Sequence, residues 1–273
     1  MHSALIEMIA SGQTDVGRVR SRNEDFFHLD TARGLAVICD GMGGHAGGDI
    51  ASRTAVEVVA AVIASRDHAD GAASGGHADG GRAPSPAEED RAAAEAAMTV
   101  RSAVVAANRR INALNRQRGF AEGRGMGTTL VGLWRVPGTG RIAVFHAGDS
   151  RLYRLRDGAL RPLTRDHSLY QLWLDNGRRG QAPQRNIIVR ALGTGEQVEP
   201  DIAIHDLQPD DLYLLCSDGL TGIVPEGLIQ RFLTQQPPPI AEDACARLID
   251  LANGAGGPDN ITLILARFVL VPA

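Results

Sequence analysis

The chain contains no lysine, and all 28 of its basic residues are arginine. Walker-type nucleotide binding, Schiff-base chemistry, Ser-Lys hydrolysis and the dehalogenase-type phosphatases each need a lysine amine, so the sequence excludes these mechanisms. A net charge of −4 also provides no basic surface for a polyanion. We therefore expect neither nucleic acid nor an anionic membrane as the main partner.

Cysteine is scarce: three residues, Cys39, Cys216 and Cys245, lie in apolar surroundings without paired spacing. Reduced, buried thiols are the expected state. A phosphatase with a cysteine nucleophile needs an arginine six residues further on, and those positions hold histidine, glycine and leucine. The sequence also has no basic leader segment and no apolar run long enough to span a bilayer, so a soluble, cytoplasmic protein is expected.

Four aspartates each lie just past an apolar run and next to glycine, serine or asparagine: Asp40, Asp149, Asp218 and Asp259. The apolar runs are typical of short buried strands, and a strand end is a rigid place to mount a ligand. A single Asp-Gly pair is more often an ordinary hairpin turn, which is the interpretation for Asp157-Gly158. Several such pairs at strand ends instead indicate one carboxylate cluster assembled from distant parts of the chain.

Clustered carboxylates raise one another's pKa unless a cation neutralises them, so the cluster predicts bound metal. A glycine after a carboxylate lets the backbone turn and present its own carbonyl as a second oxygen ligand. Oxygen ligands favour Mg²⁺ or Mn²⁺, and the sequence has none of the usual zinc-binding pairings of histidine or cysteine. Two such ions about 3.5–4 Å apart can activate a water molecule for direct attack at phosphorus, without a covalent protein nucleophile.

The order of strand and helix signals favours an α+β sandwich in a single domain, residues 1–273. Helices are predicted over residues 50–64 and from Ser85 to about Gln117, and residues 66–90 are interpreted as a flexible insertion. Closely spaced strands over residues 128–163 predict an antiparallel meander, followed by a short helix near residues 168–175. The last third predicts strands at 202–204, 212–216 and 260–269, and helices that open at Pro225 and Ala241.

Six motifs occur in a fixed order along the chain: TDVGRVRSRNED at residues 14–25, VICDGMGGH at 37–45, GTT at 127–129, GDSR at 148–151, CSDGL at 216–220 and GPDNIT at 257–262. Together they resemble the metal-dependent protein phosphatase family (PPM, the 2C type), particularly its bacterial serine/threonine phosphatase branch. The resemblance spans nearly the whole chain. One such motif would be weak evidence, whereas six in family order are highly specific.

The resemblance implies a four-layer αββα sandwich, in which two mainly antiparallel β-sheets are flanked by helices and a binuclear metal centre lies at one end. By this likeness Asp40 bridges two metal ions, which are Mn²⁺ or Mg²⁺. Gly41 provides a backbone carbonyl, and Asp218 and Asp259 complete the ligand shells. Asp25 corresponds to a residue that reaches the metals mainly through water.

Two further roles follow from the resemblance. Asp149 corresponds to a third, weaker metal position that it shares with Asp218. Arg20 occupies the family's phosphate-binding position, where a guanidinium offers a fixed fork of donors to a phosphomonoester. From charge patterning alone, with arginines two residues away on either side, Arg20 is equally well interpreted as a solvated surface residue.

His45 is the candidate proton donor to the departing serine or threonine oxygen, because a histidine near the metal loop can titrate close to working pH. Eukaryotic family members place a histidine directly after Asp-Gly, whereas Met42 stands at that position here. A loop histidine that helps to bind substrate or metal-bound water is therefore the equal alternative.

The resemblance implies a Mg/Mn-dependent phosphoserine/phosphothreonine phosphatase whose partners are phosphorylated proteins, including a bacterial Ser/Thr kinase or its targets. We expect the chain to be a monomer. One alternative is a catalytically silent regulatory module, which should have lost metal ligands that this chain retains. Another is a metallohydrolase of small phosphate esters. Residues 172–190 correspond to the mobile flap of bacterial relatives but are short and arginine-rich here, so substrate preferences of relatives do not carry over.

Overall fold

A computed structural model describes residues 5–43, 47–73, 84–121, 123–235 and 242–271. The strands in these ranges are β1 (Leu5–Asp15), β2 (Asp25–Asp30), β3 (Leu35–Met42), β4 (Gly127–Thr128), β5 (Leu130–Arg135), β6 (Arg141–Ala147), β7 (Arg151–Arg156), β8 (Ala159–Pro162), β9 (Asp201–Asp206), β10 (Leu212–Cys216) and β11 (Ile261–Val271). The helices are α1 (Gly48–Ala73), α2 (Pro86–Gln117), α3 (Leu169–Asp175), α4 (Asp218–Thr221), α5 (Glu226–Gln235) and α6 (Glu242–Gly254).

The strands form two antiparallel sheets. One sheet has the strand order β1-β11-β10-β7-β8, and the other has the order β2-β3-β5-β6-β9 with β4 paired to β3. Neighbouring strands in both sheets pair antiparallel, including β2 with β3 and β10 with β11. The chain therefore leaves and re-enters each sheet several times, which brings distant sequence segments to adjacent strand ends.

Alternation along the strands separates the two faces of each sheet. In β3, Ala36 and Ile38 pack against the other sheet, whereas Val37 and Cys39 pack against α1 and α2. In β10, Tyr213 and Leu215 lie in the same inter-sheet core, and the intervening residues pack against α4, α5 and α6. Because side chains on a strand point to alternate faces, each sheet is buried on both sides. The predicted four-layer αββα sandwich is confirmed.

The helices α1 and α2 cover one sheet and contact each other. The α2 helix begins at a capping box in which Ser85 and Glu88 satisfy each other's backbone N–H groups, as expected for its sequence. The α1 helix runs past the predicted end at residue 64 because Arg66 donates hydrogen bonds to Glu95 and Thr99 on α2. The flexible insertion predicted for residues 66–90 thus overlaps both helices, and its residues 74–83 lie outside the described ranges.

The first two strands, β1 and β2, were not predicted from the sequence. The β1 strand pairs with β11 over its whole length, although the run Ser11-Gly12-Gln13 interrupts the apolar alternation that would have identified it. Its pairing partner is about 250 residues away in the chain, so only tertiary contact reveals the strand. The described helices include none that is both long and apolar enough to cross a membrane.

Candidate active site

Most of the predicted site residues line one cavity of about 230 Å³. The residues that meet there are Arg20, Asp40, Gly41, Asp149, Asp218 and Asp259. They come from the loop before β2, the end of β3, the turn between β6 and β7, the start of α4 and the turn before β11. The two-sheet architecture therefore brings together the residues that the sequence motifs separated by up to about 240 positions.

The predicted placement of these aspartates at strand ends needs one correction. Asp40 lies within the last part of β3, and Asp149 and Asp218 each follow a strand, β6 and β10, after one intervening residue. Asp259 instead precedes a strand, since it lies in the turn between α6 and β11. All four positions are nevertheless next to hydrogen-bonded strands, which restricts the movement of their backbone.

Asp25 is buried behind the cavity rather than exposed in it. It begins β2 and lies directly opposite Asp40 in the pairing of β2 with β3. Ser217 Oγ donates a 2.8 Å hydrogen bond to Asp25 Oδ2, and the same hydroxyl accepts a 3.0 Å bond from the Thr262 N–H. The serine and threonine of two separate motifs thus hold the Asp25 carboxylate beside Asp40.

The backbone of Asp40 is fixed by the two threonines that follow Gly127. Thr129 Oγ1 accepts a 3.1 Å hydrogen bond from the Asp40 N–H, and the Thr129 N–H donates a 2.8 Å bond to the Asp40 carbonyl. Thr128 Oγ1 donates to the same carbonyl at 2.9 Å. Thr129 Oγ1 lies 2.7 Å from Ser150 Oγ, next to Asp149. The threonine pair therefore couples the positions of two cavity aspartates.

The glycines after Asp40 and Asp218 are needed for close packing. A Cβ on Gly41 would overlap the carbonyl oxygens of Gly48 and Glu24, and one on Gly219 would overlap the Asn260 carbonyl. Asp157-Gly158 differs, because both residues have positive φ in a two-residue hairpin between β7 and β8. The turn predicted at Asp157-Gly158 is confirmed, whereas Gly41 lies in a strand and Gly219 in a helix.

Crowding raises the pKa values of the cavity carboxylates. Loss of water contact, followed by repulsion from Asp25 and Asp218, holds the pKa of Asp40 well above its usual range. Burial, reinforced by Asp218, raises the pKa of Asp149 to about 7. Burial is also the main cause that raises the pKa of Asp25 to about 6. Such shifts are expected where buried carboxylates share one site, and a bound cation would offset them.

The donor set fits hard divalent cations. The Oδ1 atoms of Asp25 and Asp149 are buried without a hydrogen-bond partner among the described residues. A buried carboxylate oxygen without a donor is costly, and an oxygen-binding cation satisfies it. Asp40, Asp218 and Asp259 line the same cavity, and all contribute oxygen atoms. Their roles as ligands stay predictions.

Arg20 supplies positive charge to this acidic cavity. Its Nη2 donates a 2.7 Å hydrogen bond to Asp259 Oδ2, and the guanidinium is about half exposed. The hydrogen bond and charge of Asp259, with smaller effects of Asp40 and Glu24, raise the pKa of Arg20. A half-exposed guanidinium at the mouth of a cavity can meet an incoming anion while remaining tied to the wall.

Asn260 joins the Arg20 loop to Asp259. Its Oδ1 accepts a 2.8 Å hydrogen bond from the Glu24 N–H, and its Nδ2 donates 2.9 Å bonds to the carbonyls of Val16 and Arg22. The Asn260 N–H donates to Asp259 Oδ1 at 2.9 Å. The Asn260 side chain therefore holds the loop that carries Arg20 against the turn that carries Asp259.

A second group of possible metal ligands lies beside the first: His146, His167 and Asp201 are the only three such side chains within 4.8 Å of one another in the described ranges. His167 Nδ1 accepts a hydrogen bond from the Gly148 N–H, and its Nε2 lies 3.0 Å from Arg190 Nη1 and 3.3 Å from Asp201 Oδ2. Arg190 also contacts both His167 and Asp201. The Asp201 carboxylate is thus already paired with a guanidinium, and His146 Nε2 lies 2.8 Å from the Arg165 carbonyl, so we interpret the cluster as a structural junction.

His45 lies outside the described residues, so the predicted proton donor has no observed position. Met42 and Gly43, which precede it in the same motif, line the cavity. Asn186 and Ile188 also line it, and they belong to residues 172–190, the segment predicted to correspond to the flap. None of the residues of that segment was predicted to belong to the site.

A family profile described as protein phosphatase 2C matches residues 16–251. The chain belongs to the protein phosphatase 2C family. The match covers all of the cavity's predicted residues except Asp259, and the family predicted from the six motifs is confirmed.

Relatives of this 2C-type chain include serine/threonine protein phosphatase PstP of Mycobacterium tuberculosis, 38% identical over 264 residues. That alignment covers 95% of this chain and 45% of PstP, so the chain spans about half the length of that relative. Serine/threonine phosphatase stp of Listeria monocytogenes is 33% identical, with 95% of this chain and 96% of stp covered.

Solved structures of 2C-type phosphatases share the fold. The crystal structure of the catalytic domain of PstP, in complex with two manganese ions, matches with a TM-score of 0.76 at 33% identity, covering 97% of this chain and 100% of that one. PppA of Pseudomonas aeruginosa, described as a regulatory component of its type VI secretion system, matches with a TM-score of 0.75 at 30% identity. The α+β sandwich of this chain is thus the phosphatase fold.

Sequence reasoning missed the side chains that position the 2C-type site. Ser217, Thr128, Thr129 and Asn260 each lie inside a quoted motif, but none was given a role. The available signal was their chemistry, since hydroxyl and amide side chains next to aspartates commonly form hydrogen bonds that orient them. Asn186 and Ile188 had no comparable signal, because only the folded chain brings them to the cavity.

Proposed function

We propose that this chain is a phosphoserine/phosphothreonine protein phosphatase that depends on two Mn²⁺ or Mg²⁺ ions and opposes a bacterial Ser/Thr kinase. The observation that carries the proposal is the single cavity lined by Arg20 and the aspartates Asp40, Asp149, Asp218 and Asp259. An acidic cavity with one half-exposed arginine suits a phosphate group only when cations offset the carboxylates. The two manganese ions of the PstP crystal structure support this assignment.

Asp40, Asp218 and Asp259, with the Gly41 carbonyl, would hold the two ions, and Asp25 would act through water behind them. Asp149, which shares the cavity with Asp218, would contribute to a third and weaker position. When bound, such ions supply charge that lowers the pKa of water for direct attack at phosphorus and neutralises the phosphate.

Arg20 would hold the phosphate oxygens of the substrate. Its guanidinium presents parallel N–H donors, which match the geometry of a phosphate better than a single ammonium would. Asn260 keeps the loop of Arg20 against Asp259, so the arginine is positioned before substrate arrives. His45 remains the candidate proton donor to the leaving oxygen.

The decisive experiment assays phosphothreonine peptide and p-nitrophenyl phosphate hydrolysis with Mn²⁺, with Mg²⁺ and after chelation. We expect hydrolysis of both substrates that disappears with chelator and returns when metal is restored. Turnover that persists without metal, or no turnover with metal present, contradicts the proposal.

Metal binding provides a readout that does not depend on turnover. Ions compete with protons for the Asp149 carboxylate, whose pKa is raised to about 7. The folded chain must release that proton to bind an ion at the third position, so the affinity there should rise as the pH increases through about 7 and fall on the acid side. Isothermal titration with Mn²⁺ at several pH values measures this dependence.

The silent regulatory module stays a second candidate only if metal binds without hydrolysis. The retained carboxylates argue against it, because a module without catalysis has no need for a set of repelling aspartates. A hydrolase of small phosphate esters would be favoured if p-nitrophenyl phosphate were cleaved while every phosphopeptide was left intact.

A further inference from the structure

The flap segment (residues 172–190) differs in charge and packing from the rest of the chain. It carries four arginines and one aspartate, a net charge of +3 in a chain whose net charge is −4. None of its residues is buried, and helix α3, which overlaps its start, has no buried residue. The segment contributes little to the core, so its side chains are available to a binding partner.

The flap segment nevertheless has a defined conformation. The Leu169 N–H donates a 2.9 Å hydrogen bond to the Ile187 carbonyl, and the Val189 N–H donates a 2.8 Å bond to the His167 carbonyl. Within the loop, Trp173 Nε1 donates to the Gly180 carbonyl at 3.2 Å. These bonds join the C-terminal end of the segment to the residues just before it and hold its tip, which lowers the entropy lost when a partner binds.

Contacts connect the flap segment to the cavity. Asn186 lines the cavity, and its neighbour Arg185 lies over the ring of Tyr170, with its Cζ 4.6 Å from the ring centroid. The Tyr170 ring lies 5.5 Å from that of Trp173, which bonds the Gly180 carbonyl beside Arg179. One continuous surface therefore leads from the phosphate cavity to the arginines at the tip.

The arginines of this surface differ in their pairing. Arg190 contacts Asp201, and the lone aspartate of the flap segment pairs with Arg165. Arg178 and Arg179 are exposed, and no acidic side chain in the described ranges forms an ion pair with either. An exposed guanidinium without an intramolecular partner can bind a carboxylate of another chain in a bidentate manner.

Apolar side chains lie among these arginines. Leu169, Leu172, Ile187 and Val189 are 38%, 46%, 40% and 48% exposed, and they make up four of the nine exposed large hydrophobic residues in the described part of the chain. Exposed apolar residues concentrated in one place commonly mark a binding surface. The combination of apolar residues and free arginines fits a partner that is both acidic and partly apolar.

We propose that the flap segment docks an acidic, partly apolar stretch of the protein substrate next to its phosphorylated residue, with Arg178, Arg179 and Arg185 binding the carboxylates. The inference rests on the proposed phosphatase function and adds a substrate class to it. The acidic cavity repels carboxylates, whereas the flap segment attracts them. Charge therefore also sets how the peptide lies, with its phosphate in the cavity and its acidic residues on the flap segment outside it.

The test compares phosphothreonine peptides that differ only in the residues flanking the phosphothreonine, which are acidic in one peptide and glutamine in the other. The acidic residues are placed before the phosphothreonine in one version and after it in a second version. We expect a preference for one acidic version in kcat/KM of about 3–10-fold at low salt, which decreases as salt screens the contacts. The double variant R178E/R179E should abolish the preference and leave p-nitrophenyl phosphate turnover within about 2-fold of the unmodified chain.

The matched control is R109E/R110E, which reverses two adjacent exposed arginines on α2 and should retain the peptide preference. Equal rates for acidic and neutral peptides, or a preference that survives R178E/R179E, overturn the inference.

Sedimentation of the chain at rising concentration gives a second measurement, since a dimer dissociated by Leu172→Asp would assign the surface to a second copy instead. If p-nitrophenyl phosphate is not cleaved either, the proposed function fails, not the docking surface alone.

Discussion

The carboxylate cavity and the flap segment adjoin each other but are built in opposite ways. The cavity aspartates lie at or beside hydrogen-bonded strands, and their neighbours Thr128, Thr129 and Ser217 form bonds that fix them. The flap segment has no buried residue and is held mainly by backbone bonds at its ends and one indole at its tip. One region is specified by many tertiary contacts, and the other by few.

This difference separates two kinds of function. Chemistry that acts on every phosphate ester requires ligand positions that do not move, which strands provide. Recognition of a particular protein requires exposed side chains that can vary without harm to the core, which the flap segment provides. Substitutions in the cavity should therefore affect all substrates, whereas substitutions in the flap segment should affect only those large enough to reach it.

The largest expected effect comes from Asp218→Asn, which keeps the shape of the side chain but removes its charge. We expect almost complete loss of hydrolysis of both peptide and p-nitrophenyl phosphate, more than the roughly 10–100-fold that loss of an outer-shell partner costs. Metal uptake measured by calorimetry should fall in parallel. Asp157→Asn, in the Asp-Gly hairpin turn, is the matched control and should remain active. Full activity in Asp218→Asn would show that the reaction does not need the Asp218 carboxylate.

A smaller effect, confined to phosphate binding, is expected for Arg20→Ala. A hydrogen bond to a charged group contributes about 1.5–3 kcal/mol, so KM should rise by about 10–100-fold with a lesser change in kcat. Arg20→Lys should recover part of the loss, because the charge returns without the fork of donors. Steady-state kinetics with p-nitrophenyl phosphate measures both constants. An unchanged KM in Arg20→Ala would mean that the guanidinium does not hold the phosphate.

Asn260→Asp tests whether the hydrogen bonds of Asn260 hold Arg20 in position. The new carboxylate would face the carbonyls of Val16 and Arg22 in place of two N–H donors, which loosens the Arg20 loop. We expect about a 10-fold rise in KM for p-nitrophenyl phosphate.

A double variant separates positioning from general damage. If Asn260 acts through Arg20, then Asn260→Asp should add little to the KM of Arg20→Ala, because coupled residues are not additive. Asn112→Asp, where a half-buried asparagine donates to the Gly195 carbonyl on another surface, is the control. Multiplicative losses in the double variant would show that Asn260 has an independent role.

The same contrast explains what the sequence could predict. The four cavity aspartates belong to short motifs next to strongly apolar strands, so their chemistry and their likeness to a family could both be recognised from the sequence. They are Asp40, Asp149, Asp218 and Asp259. The structure brings them to one cavity, while their ligand roles stay predictions. The family and the sandwich fold were predicted correctly because six motifs and the alternation of strands agree over nearly the whole chain.

The residues that sequence analysis missed depend on contacts between distant segments. The β1 strand is defined by pairing with β11 rather than by its own pattern. The extension of α1 beyond residue 64 depends on the contacts of Arg66 with α2. Asn186 lines the cavity next to Ile187 and Val189, whose backbone bonds tie the flap segment to residues 167–169. A pattern within one segment does not contain this information.

The smallest expected effect is on stability, for a substitution in the flap segment. Leu172 is 46% exposed, so Leu172→Ala should change the free energy of unfolding by no more than about 0.5 kcal/mol. Leu214, fully buried between β10 and the helices, is the control, and Leu214→Ala should cost about 2–5 kcal/mol. Urea unfolding at low protein concentration measures both free energies.

A cost above about 1 kcal/mol for Leu172→Ala would mean that this leucine is packed in solution, and the flap segment would then belong to the fold rather than to a binding surface. A cost that appears only at high protein concentration would identify a second copy of the chain as the packing partner.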